Sequence, residues 1–250
     1  MIISASRRSD IPACLSDWLI EHIERGAVTV TNPYNRRQRT VSLDPSCVDE
    51  LVLWSKHPAP LLQKMDRLAS YRCRLLMTLN AYPRSIEPLV PILATRIETF
   101  RAFSALLGPE FTIWRYDPVL ISAEHSVSRH QEAFSMLCEA LTGFTKTCII
   151  SFLDIYPKRR KALASRGIRP PDADEVTAFA QTAAQAAAQA GIRIQTCCED
   201  GDLSAYGIIP GACIPGRVKD RGQRPGCLCA QSIDIGSYGS CSLGCIYCYA

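Results

Sequence analysis

Seven short runs of β-branched and apolar residues punctuate the chain: MIISAS (1–6), ELVLWSK (50–56), CRLLMTL (73–79), FTIWRYD (111–117), CIISFLD (148–154), IRIQTCC (192–198) and SIDIGS (232–237). Each has the length and composition of a strand, and helical signals fill most of the gaps. From residue 111 onward the runs begin 36 to 45 residues apart, the spacing of βα units. That rhythm predicts an α/β fold, a (β/α) barrel of TIM or partial-TIM type, with a doubly wound open sheet as the alternative. Asp10 with Pro12 opens a helix that Gly26 closes; others are predicted from about Glu87 to Gly108, from Ser126 or Ser128 to near Gly143, and through the alanine-rich stretch ending at Gly191. Residues 27–43 break the rhythm and read as an inserted hairpin around Asn32, Pro33 and Asn35. The expectation is one barrel domain over residues 1–250, with a cysteine-rich segment at 197–250. No G-x-G-x-x-G follows the first run, so dinucleotide binding of the Rossmann kind has no support.

Composition narrows the chemistry. The chain is 47% apolar and 21% charged, enough to bury a sizeable core, and its formal charge of +4 does not indicate nucleic acid. MIISASRRSD lacks the order of a secretory signal, and no stretch approaches about 18 consecutive apolar residues, so a cytoplasmic protein without a membrane span is expected. Thirteen cysteines in a reducing compartment then argue for metal, redox chemistry or burial rather than a disulfide framework. Cys14, Cys47, Cys73, Cys138 and Cys148 sit singly in apolar segments and read as small hydrophobes. The other eight lie after residue 196.

In a barrel, chemistry belongs at the carboxyl ends of the strands. Arg7, Arg8, Asp10, Lys56, Asn80, Arg115, Asp117, Asp154 and Glu199 all fall there. Arg115 and Asp117 are two apart and share a face, and Cys197 and Glu199 share one with Arg193 and Gln195, opposite Ile192 and Ile194. Cys198 has the opposite parity and should point away. No pair among His22, His57, His125 and His130 has i, i+4 spacing, and no catalytic role is assigned to them. The basic run Lys158 to Lys161, like Arg36, Arg37 and Arg39, reads as solvated loop.

The last ten residues, CSLGCIYCYA, space Cys241, Cys245 and Cys248 as C-x3-C-x2-C. A closed zinc site takes four ligands and ferredoxin runs use C-x2-C-x2-C-x3-C, so three thiolates suit a site with one open position. Three can hold three irons of a [4Fe-4S] cluster and leave the fourth iron for a small ligand. This pattern resembles the radical S-adenosylmethionine (SAM) superfamily, in which the methionine end of SAM chelates the free iron. The resemblance places Tyr247 beside the adenine and implies reductive cleavage of SAM to a 5′-deoxyadenosyl radical, with flavodoxin or ferredoxin as electron donor and an unknown substrate. Arg115, Asp117, Asp154 and Glu199 are the candidates for holding SAM or substrate.

SASRRSDIP, IWRYDPVL, ISFLDIY, LSAYGI, RPGCLC and DIGSYGSC together resemble a bacterial family, domain of unknown function 1848, known for a C-terminal cysteine cluster of this type. The resemblance spans nearly the whole chain and implies a barrel, circularly permuted because the motif follows the last strand; SIDIGS should then lie beside MIISAS. The family usually continues beyond Cys248, so the chain is expected to be cropped or to lack the helix after the cluster. Cys197, Cys213, Cys227 and Cys229 are enough for a second, closed site holding [4Fe-4S] or Zn2+. The alternative function is a non-catalytic or redox-sensing protein whose late cysteines hold zinc or a cluster without SAM; a metal-free barrel acting through its rim carboxylates is a third.

Overall fold

A computed structural model describes residues 1–220 and 222–250. Its centre is an eight-stranded sheet in the order β10-β1-β4-β5-β6-β7-β8-β9, with every neighbouring pair parallel. The strands are β1 (Ile2–Ala5), β4 (Glu50–Ser55), β5 (Cys73–Thr78), β6 (Thr112–Val119), β7 (Thr147–Phe152), β8 (Arg193–Thr196), β9 (Ile209–Pro210) and β10 (Ile233–Asp234). Residues 27–43 form an antiparallel hairpin of β2 (Ala27–Thr31) and β3 (Gln38–Ser42), separate from that sheet.

All seven predicted runs are strands, though SIDIGS pairs over only two residues before it turns. As expected for a permuted order, β10 lies beside β1, with Ile3 opposite Ile233 and Ser4 opposite Asp234. Among the described residues no ladder joins β9 to β10. What is seen is therefore a mixed α/β fold on a large parallel sheet, not a hydrogen-bonded closed barrel. Both terminal strands are two residues long, and among the described residues β9 pairs only with β8 and β10 only with β1.

Helices α1 (Ile11–Cys14), α2 (Ser16–Glu24), α3 (Ala59–Leu62), α4 (Leu93–Leu107), α5 (Val127–Leu141), α6 (Arg160–Ala164) and α7 (Ala173–Gln189) fill most of the crossovers. Local chemistry sets several of their ends. Ser126 caps α5 through Arg129 N, and Asp172 and Glu175 form a reciprocal capping box at the start of α7. The helix expected from Glu87 begins only at Leu93, because Pro88 and Pro91 deny it backbone donors; residues 80–92 are loop instead. The helix expected from Asp10 to Gly26 is broken at Leu15 into α1 and α2. No helix among the described residues is long and apolar enough to cross a membrane.

Strand alternation gives the sheet two buried faces, as a parallel sheet requires. One carries Leu51, Leu53, Leu75, Met77, Trp114, Tyr116, Cys148 and Ile150 and packs on the helices through Leu19, Phe100, Phe134 and Phe179. Trp114 and Phe134 stack with centroids 4.7 Å apart, both fully buried, and truncating either to alanine costs about 3–5 kcal/mol. The opposite face carries Val52, Leu76, Ile113 and Ile149. The chain after β9 folds back over that face and brings Cys213, Ile214, Cys227, Cys229 and Ala230 onto it.

Candidate functional site

β10 sets the course of the terminal cysteine loop. Asp234 accepts from Ser6 Oγ at 2.6 Å, Arg7 N at 2.7 Å, Ser4 Oγ at 3.2 Å and Gly236 N at 3.0 Å, tying the end of β10 to the end of β1. A Cβ at Gly236 would lie 2.1 Å from Ser6 Oγ and 2.5 Å from Ser6 Cβ, so the approach admits only glycine. The loop then binds the 80–92 loop: Leu89 N donates to Leu243 O at 3.2 Å and Ile246 N to Ile86 O at 3.1 Å.

Cys241, Cys245 and Cys248 come together in one cluster with Tyr82, Ile86, Leu243 and Tyr247. Cys14, expected to be an isolated hydrophobe, joins them, its Sγ 3.4 Å from Ser242 Oγ. Burial pushes the Cys245 thiol up to about 12 and Cys241 up to about 11; at Cys245 the nearby Lys56 pulls the other way. Arg159, expected to be solvated, donates Nε to Cys248 O at 2.7 Å.

Tyr247 is buried, and its hydroxyl donates to Glu87 Oε1 at 2.5 Å. Glu87, itself 1% exposed, also accepts from Lys56 Nζ at 2.8 Å, and Arg96 Nη1 faces its Oε2 at 3.5 Å. Burial would raise the Glu87 carboxyl, but Lys56 and Arg96 outweigh it and hold it below the usual range. Glu87 Oε2 and Arg96 Nε and Nη1 make no hydrogen bond among the described residues, although Arg96 is also 1% exposed. Arg96 Nη2 donates to Asn80 O at 2.7 Å, and Asp10 accepts from Lys56 N at 2.7 Å. Sequence reading misses Glu87 and Arg96; the signal was present in the prolines of PRSIEPLVP, which mark a loop at a strand end.

The four rim candidates separate into three settings. Arg115 and Asp117 pair with each other; Asp117 also accepts from Ser151 Oγ, and its backbone N donates to Asn80 Oδ1 at 3.1 Å. Arg115 stacks over Trp54 at 5.0 Å and donates Nη1 to Cys213 Sγ at 3.1 Å. Asp154 forms an ion pair with Arg224. Glu199 accepts Phe152 N at 3.1 Å, and burial pushes its carboxyl up to about 8.

Cys197, Cys213, Cys227 and Cys229 also come together. Cys213 Sγ donates to Cys197 Sγ at 3.1 Å, and Cys213, Cys227 and Cys229 are buried in one cluster with Cys197 packed against it. The thiol contact with Cys213 draws Cys197 down to about 7 and Cys229 down to about 5. Cys198 does not point away: at φ 59 the backbone turns left-handed, and its thiol donates to Pro225 O at 3.1 Å. Among the described residues no three His, Cys, Asp or Glu side chains are disposed to hold a metal ion.

No curated protein matches the sequence. Among solved structures, one provisionally described as an alpha-L-fucosidase from Bacteroides thetaiotaomicron VPI-5482 is similar at 11% identity and a TM-score of 0.35, covering 75% of this chain and 71% of that one. A likeness that weak adds nothing to the reading of the site. The family described as domain of unknown function (DUF1848) matches residues 2–250, and the chain belongs to that family.

Proposed function

We propose that this protein is an iron–sulfur enzyme of the radical-SAM type, with Cys241, Cys245 and Cys248 as the ligands of a [4Fe-4S] cluster and S-adenosylmethionine on the remaining iron. The observation that carries the reading is the gathering of these three thiols, from one short loop, at the carboxyl ends of a parallel sheet beside two cations, Lys56 and Arg96, near Cys245. The donor set fits: three soft thiolates favour iron–sulfur over oxygen-seeking metals, and the cations offset the charge that three thiolates bring into a buried place. When bound, the group supplies an electron that cleaves SAM into a carbon radical able to take hydrogen from a substrate.

The chain's own residues orient and exclude water. Glu87 fixes the Tyr247 ring beside Cys245 through its hydroxyl, Lys56 lies 5.4 Å over that ring, and Leu243, Ile86 and Tyr82 pack with the three cysteines and would help exclude water from a group held there. Arg115 and Asp117, paired with each other beside Cys213, are our candidates for binding a polar substrate group, and we read the sheet as a permuted barrel opened between β9 and β10. Anaerobic reconstitution with iron and sulfide, followed by electron paramagnetic resonance with and without SAM, tests the proposal. A [4Fe-4S] signal that changes on adding SAM and disappears in Cys245→Ala is expected. A signal indifferent to SAM would leave a redox or structural cluster and defeat the enzymatic reading.

A further inference from the structure

The second set of cysteines comes from three separate stretches: Cys197 just beyond β8, Cys213 after β9, and Cys227 and Cys229 in RPGCLC. Among the described residues, 211–230 carries no named helix or strand; its backbone bonds include Gly211 N to Thr196 O at 2.9 Å, Ala230 N to Ile214 O at 2.8 Å, Asp220 N to Cys229 O at 3.1 Å and Gln231 N, just beyond it, to Val218 O at 2.7 Å. Yet this segment packs on one face of the sheet, and its thiols are buried with Val52, Leu76, Ile113 and Ile149, with Cys213 and Cys229 3% exposed and Cys227 7%. Cys197 and Cys213 touch, and Cys227 and Cys229 share their buried cluster; as they stand the four do not surround an ion, and a tetrathiolate site is what would draw them together over an irregular segment.

We propose that Cys197, Cys213, Cys227 and Cys229 form a mononuclear site for a soft divalent cation, Zn2+, that pins the 211–230 segment to the inner face of the sheet. Spacing favours one ion over a cluster. Around a tetrahedral zinc with Zn–S of about 2.3 Å, adjacent sulfurs stand about 3.8 Å apart. The Cys197–Cys213 separation of 3.1 Å reaches that value by opening about 0.7 Å, whereas a four-iron cube demands a much wider ring of thiolates. Charge agrees as well. Four thiolates on one divalent ion leave two negative charges, and the buried Arg115, though paired with Asp117, already donates a hydrogen bond to one of the four sulfurs, that of Cys213. Binding is a ligand exchange without redox change: each thiol loses its proton to solvent and donates a sulfur lone pair to the ion. The site is independent of the terminal motif, and the inference stands whether or not that motif binds iron.

The test uses the full chain with Cys241, Cys245 and Cys248 all changed to alanine, so that only the second set can bind. Protein expressed with zinc present is analysed for zinc, iron and labile sulfide, then exchanged with Co2+ for absorption spectroscopy. About one zinc per chain and the thiolate-to-cobalt charge-transfer bands of a tetrahedral sulfur site are expected. Cys198→Ser should keep both, and Cys213→Ser should lose both. Cys227→His, which retains a ligand, should hold the ion where Cys227→Ser does not, a comparison that survives if Cys213→Ser proves insoluble. Zinc absent from folded protein, zinc retained in both Cys213→Ser and Cys227→Ser, or iron with sulfide in place of zinc would each overturn the proposal.

Discussion

Replacing Glu87 by glutamine keeps the shape of the side chain and removes its charge, where that charge answers two cations. Glu87 accepts from Lys56 at 2.8 Å and Tyr247 at 2.5 Å, and Arg96 stands 3.5 Å away with 1% of its surface exposed. In Glu87→Gln the Arg96 guanidinium has no counterion left at contact distance, and the new amide turns one of its ends into a donor facing a cation. Breaking a buried pair from one side costs roughly 3–5 kcal/mol. For a chain of this size that corresponds to a fall in Tm on the order of 6–20 °C. Tyr247→Phe deletes only a hydrogen bond to a charged acceptor and should cost about 1.5–3 kcal/mol. Pairing Glu87→Gln with Lys56→Met should recover part of the loss, since one unanswered charge goes with its partner. Thermal melts followed by circular dichroism, checked against guanidinium titrations, give the ranking. A loss below about 1 kcal/mol in Glu87→Gln would show that these charges are solvated and that the carboxylate does not hold the terminal loop in place.

Two further tests use groups outside the cysteine loops. His130 is 4% exposed and bonded through both ring nitrogens, to Tyr116 Oη at 2.8 Å and Leu120 O at 2.7 Å; burial pushes it down to about 4 from an ordinary 6.5. Between those values the unfolded chain binds more protons than the folded one, so its contribution is full above pH 6.5 and is lost as pH falls toward 4, on the order of 3 kcal/mol in all. The stability advantage of wild type over His130→Gln should shrink as pH falls through that window, and parallel profiles would sink the assignment. The second test is thiol labelling at pH 8: Cys47 is exposed and should react with iodoacetamide in the native protein, while Cys73 and Cys138, pushed up to about 12 by burial, should react only on unfolding. Native labelling of either buried thiol would contradict the packing of the helix-covered face.

The strands were readable because β-branched runs bounded by turn residues carry their signal locally, and the neighbour relation of SIDIGS to MIISAS followed from motif order. Closure was not readable, since it depends on what the two-residue strands β9 and β10 can pair with, and nothing in IP or ID states that. The same division runs through the site. Spacing alone brings out Cys241, Cys245 and Cys248, but Cys14 reaches them only because α1 packs under the loop, a contact 228 residues distant in sequence. Strand parity places Cys197 correctly and fails at the next residue, where the backbone leaves the strand with φ 59. Glu87 hides in SIEPLV because helix periodicity continues across Pro88 and Pro91 if the prolines are discounted. Arg159 looks solvated in a basic run, and one carbonyl, that of Cys248, makes it a clamp.

The bond network of Asp234 has a consequence for how the protein is made. Its partners Ser4, Ser6 and Arg7 are 227 to 230 residues earlier, so the strand that leads to the cysteine loop docks on a surface synthesised long before it. Contacts of such separation are the slowest to form, because a long loop must close before they return anything. On the ribosome, β1 can lie against β4 long before β10 exists, and the loop with Cys241, Cys245 and Cys248 can be enclosed only after β10 has been made. A metal taken up by that loop would therefore enter either while β10 is still undocked or by prising β10 away from β1.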